Sequence, residues 1–387
     1  MQQAGIQAAW THRSWILKNS AEVIPLIHAW NQIYSSRSTT LFSPPIIETY
    51  DFERLYTSID TSDMQANIMQ LVREIFGLQE HANHVGIKVS ADRAALWLRQ
   101  HELPASDGNR YSDREGGSFV IDIPTIEAWL SFLLHHMYVT FGGVLKQQVQ
   151  GTPMGTNCAS HLANFFLAMY ELRFLRNLAC IIRTVPEQEP LHQTARDILH
   201  AFVLTGRYID DLLSLNNPYQ HLLLYTHQHP FFPEIHGIYP SSLSVTCTSA
   251  CSSAPYMDIF ITSTPNRQHQ HRLTTMLYDK REHPPLSALF IIRFPHISSN
   301  ISDTAKYNII TSQFHRYRRI ILWRKDFVHR LAALLRDLSS KQYDMERMQQ
   351  QIRRLGHKHP RLYGDCTYTL ITEVITELDG LNLVTHS

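Results

Sequence analysis

The 387-residue sequence holds no apolar run near the ~18 residues of a membrane span, so no transmembrane helix is predicted and no membrane partner is expected. Its start, MQQAGIQAAWTHRSW, lacks the basic stretch and apolar core of a signal peptide. Cysteine is sparse: Cys158, Cys180, Cys247, Cys251 and Cys366 form an odd, scattered set, a poor disulfide framework. Cys247 and Cys251 make one CxxxC without a second ligand pair, and free thiols in a reducing compartment are the better reading. No internal repeat is evident, which excludes a solenoid. A strong charge of one sign is missing too, since the net charge is only +1. What is left is a soluble, intracellular, globular protein with 44% apolar residues and room for two or three subdomains.

The balanced charge hides an asymmetry. Residues 301–363 carry 14 Lys/Arg against 5 Asp/Glu, an excess of +9 that leaves −8 for the rest of a chain whose net charge is +1. A basic C-terminal segment beside an acidic body suits a polyanion-binding surface next to a metal site; from charge alone, solvated helix faces fit equally well. The 23 histidines are dispersed and read as compositional bias.

Along the chain, residues 1–45 are weakly patterned and end in the loop SSRSTTLFSPP. IIETYDF reads as a strand. A helix is predicted at about 63–76, with Ile68, Leu71, Val72, Ile75 and Phe76 at helical spacing and Gly77 as the stop. The polar stretch 101–118 is a loop, and Pro124 opens another helix. VTFGGVLKQQVQGTPMG reads as a hairpin running into a glycine-proline loop, with Asn157 capping the helix that carries Ala159, Leu162, Ala163, Phe166, Leu167 and Tyr170. AFVLTGRYIDDLLSL reads as two short strands meeting at the aspartates, with further strands at SLSVTCT, PYMDIFIT and RLTTMLYD. The C-terminal third is helical, with one stripe over 327–338 and another from Met345 to Leu355 stopped by Gly356. The order predicts an α+β fold with a helical appendage.

Two aspartates side by side, Asp210 and Asp211, sit in the apolar run GRYIDDLLSL. A DD pair taken alone also fits a surface turn, but a surface turn does not need Tyr-Ile before it and Leu-Leu after it. If the strand ending at Asp51 lay beside this hairpin, three carboxylates would converge and repel, raising one another's pKa. Divalent cations relieve such repulsion, and oxygen-only ligands suit two Mg²⁺ or Mn²⁺ ions. Such a pair activates an attacking oxygen and stabilises a leaving one in phosphoryl transfer.

The order of these pieces resembles the palm of a reverse transcriptase. TYDFERLY is similar to motif A, QVQGTPMGTNCASHLANFFLAMYE to motif B and RYIDDLL to motif C. TYDFERLYTSID and the stretch from YMDIFIT through TTMLYDKREHP to FPHISSNISDTAKYNIITSQFHRYRRI resemble the Penelope-like branch, over roughly residues 46 to 356. The resemblance implies an antiparallel palm sheet packed on helices over 46–295, a mostly helical thumb over 296–363 and a tail over 364–387. It implies a nuclear RNA-directed DNA polymerase that extends a DNA primer on an RNA template with dNTPs and two Mg²⁺ or Mn²⁺ ions. Asp51, Asp210 and Asp211 would be the catalytic metal ligands. Phe52 would offer its backbone amide to the triphosphate, and Tyr56 would be the steric gate against ribonucleotides. Gln150 and Gly151 match the Gln-Gly of motif B, and Tyr208 would touch the primer end. Arg316, Arg318, Arg319, Arg324 and Lys325 would track duplex phosphates without reading sequence.

Two departures stand beside the resemblance. About 45 residues precede motif A, with no fingers motif, so 1–45 is read as a fingers remnant in which Arg13, Lys18 and Arg37 are isolated. The tail carries no GIY-YIG nuclease. The alternative is a truncated or repurposed palm–thumb protein that binds nucleic acid without catalysis. A telomerase-like enzyme would need an RNA-binding N-terminal domain, and an RNA-dependent RNA polymerase is disfavoured by Tyr56.

Overall fold

The computed structural model of the chain describes residues 15–35, 44–78, 81, 83–90, 93–102, 118–152, 156–225, 228–265, 270–289, 291–358 and 367–384. Its strands, in chain order, are β1 (Ile47–Glu53), β2 (His84–Ser90), β3 (Arg93–Arg99), β4 (Ser118–Ile121), β5 (Tyr138–Phe141) and β6 (Val144–Gln147). They continue with β7 (Thr205–Tyr208), β8 (Asp211–Leu215), β9 (Ser244–Cys251), β10 (Ser253–Tyr256), β11 (Ile259–Pro265) and β12 (His271–Leu277). The sheets have the orders β7-β8-β1-β9, β10-β11-β12, β3-β2-β4 and β5-β6. The chain divides into two compact units. One carries Asp51–Val203 and Pro218–Thr246 with the stretch up to Ile16; the other carries Leu17–Tyr50, Leu204–Asn217 and Cys247–Ser387.

The first unit is built on two long helices. Thr61–Phe76 starts where the Asp60 carboxylate accepts from the Asp63 amide at 2.8 Å and stops at Gly77. It buries Met64, Ile68, Met69 and Phe76. Ala159–Thr184 buries Leu162, Ala163, Phe166, Leu167, Phe174 and Leu178, an apolar stripe that continues past the stretch legible at its start. Its N-cap position is Cys158, without a side-chain cap, so Asn157 does not play the capping role expected of it. Between these helices the chain forms β2, β3 and β4, an antiparallel sheet the sequence reading did not contain. Trp97 on β3 packs edge-on against Phe76 at 5.0 Å and stacks on His81 at 3.8 Å, which gives this sheet its own apolar anchor. The predicted loop at 101–118 falls mostly outside the described residues.

The second unit joins the helix Val23–Ser35, the hairpin β7–β8, the sheet β10-β11-β12 and the C-terminal helices Asp303–Ile320, Arg324–Ser339, Met345–Lys358 and Thr367–Val384. Val23, Leu26, Ile27 and Trp30 are fully buried, so this segment is a core helix despite its weak pattern. Asn31 from the same helix closes the outer edge of β12: its amide donates to Leu273 O and its oxygen accepts from Leu273 N, both at 2.9 Å. That pairing replaces the strand that a sheet edge lacks. PYMDIFIT, expected as one strand, breaks into β10 and β11 around the two-residue turn Met257–Asp258. Gly356 does not stop its helix; it is buried within Met345–Lys358. Residues read only as a tail form the helix Thr367–Val384, which buries Leu370, Ile371 and Val374. No helix among the described residues is long and apolar enough to cross a membrane. Cys158, Cys180, Cys247 and Cys251 are free thiols; Cys366 lies outside the described residues.

Candidate active site

Of the residues singled out from the sequence, Asp51, Phe52, Tyr56, Gln150 and Gly151 fall in the first unit. Tyr208, Asp210, Asp211 and the basic residues fall in the second.

In the first unit, Asp51 lies on β1, half-buried, and its carbonyl accepts from the Thr246 hydroxyl at 3.4 Å. The Phe52 ring faces the core: it is 2% exposed and meets Tyr239 edge-on at 4.8 Å, and Tyr239 in turn donates to Glu171 at 2.9 Å. Its ring is therefore part of the core. Arg54, at φ 54, ends the strand in a left-handed conformation and opens the short helical turn Leu55–Ser58 that carries Tyr56. The loop of motif B comes back onto this turn. Thr152 N donates to Tyr56 O at 2.7 Å, and Gly151 N to Ile59 O at 3.0 Å. Gly151 sits at φ +80, and a Cβ there would lie 2.1 Å from Tyr56 O and 2.8 Å from Thr57 Cα. Only glycine meets both conditions, the left-handed backbone and the backbone-to-backbone approach. Two residues distant in sequence are thus in direct contact. Gln150 is exposed, and its carbonyl accepts from the Gln148 side chain at 2.8 Å. Pro153, Met154 and Gly155 of the same motif lie outside the described residues.

In the second unit, β7 and β8 pair from Thr205↔Ser214 to Tyr208↔Asp211, so the loop of this hairpin is Ile209–Asp210 alone. The hairpin's shortness follows from its apolar flanks: Leu212 and Leu213 are fully buried and Leu215 is 2% exposed, which pins the register. Ile209 takes φ 55, a region that costs a β-branched residue energy and that persists only where surrounding structure imposes it. The two carboxylates are half-buried at the tip. No hydrogen bond or ion pair engages the Asp210 side chain among the described residues. Beneath the turn, the guanidinium of Arg207 is fully buried and donates to Ile209 O at 2.8 Å. It supplies a fixed positive charge inside the hairpin that sequence reading passed over, because an arginine inside a strand gives no periodic signal. Tyr256 was missed as well; its hydroxyl donates to Asp211 O at 3.0 Å.

The basic residues do not act as one cluster. Arg316 clasps Asp258 through Nε at 2.9 Å and Nη2 at 2.7 Å. Arg324 makes a two-pronged pair with Glu373 at 2.9 and 3.1 Å. Both are therefore committed to protein carboxylates. Arg318 is half-buried, Arg319 and Lys325 are exposed, and no ion pair engages these three among the described residues. Among the described residues no three His, Cys, Asp or Glu side chains are grouped as a metal ion requires. The carboxylate tip offers hard oxygen donors of the kind Mg²⁺ and Mn²⁺ take.

No family model matches the chain, and no curated protein matches it. Solved structures do. The chain is similar to telomerase from Candida albicans in complex with a TWJ fragment of telomeric RNA, at 11% identity and a TM-score of 0.54, over 94% of this chain and 52% of that one. Apo telomerase from Candida tropicalis matches at 9% identity and a TM-score of 0.44, over 95% and 51%. The chain spans about half the length of these telomerases. At such identity the first likeness speaks to the fold, which is α+β and reverse-transcriptase-like: an antiparallel palm sheet packed on helices, followed by a mostly helical thumb.

Proposed function

We propose that the chain is an RNA-directed DNA polymerase of the Penelope-like branch, extending a DNA primer on an RNA template. The observation that carries this reading is the hairpin tip: a two-residue turn on a polymerase-like palm, strained at Ile209, that presents two adjacent carboxylates, one of them without a protein partner among the described residues. Asp51, Asp210 and Asp211 would hold two Mg²⁺ or Mn²⁺ ions, which when bound supply activation of the attacking oxygen and stabilisation of the leaving one. Tyr56 would exclude a ribose 2′-hydroxyl with its ring, held in place by the contact of Gly151 with its backbone. Tyr208 would meet the primer end. Arg318, Arg319 and Lys325 would bind duplex phosphates, since Arg316 and Arg324 are already paired.

The test gives the purified chain an RNA template, a DNA primer, dNTPs and Mg²⁺, beside Asp210→Ala. Primer extension by the wild type and its loss by at least about a hundredfold in the variant is the expected result. Equally low extension by both, with retained binding of the duplex, would leave the second reading, a palm–thumb protein that binds nucleic acid without catalysis.

A further inference from the structure

The second unit contains the same local device twice. In one hairpin Tyr208 precedes a two-residue turn, Ile209–Asp210; in the other Tyr256 precedes Met257–Asp258. Ile209 and Met257 both take φ 55. The two aspartates differ in what meets them. Asp258 is neutralised by Arg316 from the helix Asp303–Ile320, whereas Asp210 has no such partner among the described residues.

The residue that precedes the Met257–Asp258 turn reaches the other hairpin. The Tyr256 hydroxyl donates to Asp211 O at 3.0 Å. Tyr208 and Asp211 are the pair that closes the Ile209–Asp210 turn. One buried hydroxyl is therefore anchored at the neck from which the carboxylates project. Tyr256 is 3% exposed, and burial together with the Asp211 charge raises its pKa, so the group remains a neutral donor at working pH.

We propose that Tyr256 is a positioning residue for the Asp210–Asp211 turn, and that the Arg316–Asp258 pair holds the turn that carries it. This inference rests on the polymerase reading given above. It assigns Arg316 to the support of the carboxylates instead of to the nucleic-acid backbone. It also ties the first C-terminal helix to the carboxylate tip through an ion pair, a two-residue turn and a hydroxyl. A strained turn is worth holding at its neck, because a left-handed isoleucine would otherwise relax and redirect the carboxylates beside it.

The experiment compares Tyr256→Phe with Tyr343→Phe in the full chain. Tyr343 loses a like bond, its hydroxyl to Pro295 O at 3.1 Å, at a place remote in sequence from the turn. Amide hydrogen exchange of the β7–β8 hairpin is followed without metal, and single-nucleotide extension is measured with Mg²⁺. Expected for Tyr256→Phe is a rise of about tenfold in exchange of the β7–β8 hairpin amides and a fall of about tenfold in kcat with the dNTP KM within twofold, neither of which appears in Tyr343→Phe. Unchanged exchange of the hairpin amides overturns the proposal whether or not the chain extends primers. Faster exchange with unchanged kcat overturns it too. Should the wild type extend no primer at all, the polymerase reading falls, and the exchange result alone decides whether Tyr256 holds the turn.

Discussion

Gly151→Ala tests the joint between the motif B loop and the turn bearing Tyr56. The alanine would have to adopt φ +80, which costs an L-residue roughly 1–2 kcal/mol. Its Cβ would also stand 2.1 Å from Tyr56 O, a backbone atom that no rotamer change can move. The loop must therefore withdraw by more than an ångström, breaking the 2.7 Å bond from Thr152 N to Tyr56 O. Losing that bond at a buried position adds about 1 kcal/mol, for a total of about 2–3 kcal/mol. For a unit of this size the loss lowers its melting temperature by roughly 4–12 °C. Thermal unfolding followed by circular dichroism reads this, with Gln150→Ala as the exposed neighbour expected within ~0.5 kcal/mol of wild type. In the extension assay the withdrawn loop should raise the dNTP KM and relax exclusion of ribonucleotides. A Gly151→Ala protein that melts within about 2 °C of wild type and keeps its nucleotide preference would refute the close-approach argument.

Asn31→Ala should destabilise the second unit by about 2–4 kcal/mol, because it leaves the buried N–H and C=O of Leu273 unpaired at the edge of β12; urea unfolding measures it. Asn31→Asp, which keeps the acceptor and loses the donor, should also destabilise. Stability should depend on acidity through Asp279, whose carboxyl is held down to about 2, chiefly by its hydrogen bonds from Arg281 and then by the charge of Arg293. A depressed folded-state pKa gives stabilisation that is complete above the unfolded value near 3.9 and lost as pH falls through about 2. The contribution is about 1–2 kcal/mol once solvent screening is allowed for, so Asp279→Asn should flatten the stability profile between about pH 4 and pH 2 and leave its shape above that window unchanged.

Some of this molecule was legible without coordinates. The helix Thr61–Phe76 was, because Asp60, an apolar stripe and Gly77 all point the same way. So was the hairpin at Asp210 and Asp211, whose flanking leucines are buried as their pattern required. The sheet β2-β3-β4 was not, since its strands hold charged and small residues among the apolar ones and are stabilised by pairing to one another. The helix Val23–Ser35 escaped notice although Val23, Leu26, Ile27, Trp30 and Asn31 line one buried face, because Pro25 and the apolar Ile24, Ala29 and Ile33 on its other side blur the period.

The sequence by itself determined the chemistry available: which carboxylates, which glycine, which tyrosine, and the order in which a palm would present them. Tertiary structure alone decided how they are used. It put Gly151 against Tyr56, turned the Phe52 ring into the core and committed Arg316 and Arg324 to Asp258 and Glu373. It also set the hydroxyl of Tyr256 into the neck of the carboxylate turn. The reason is physical. Local propensity and hydrophobic period act over a few residues, whereas a backbone approach, an ion pair or a buried hydrogen bond joins groups far apart in sequence and exists only once the chain has closed around them.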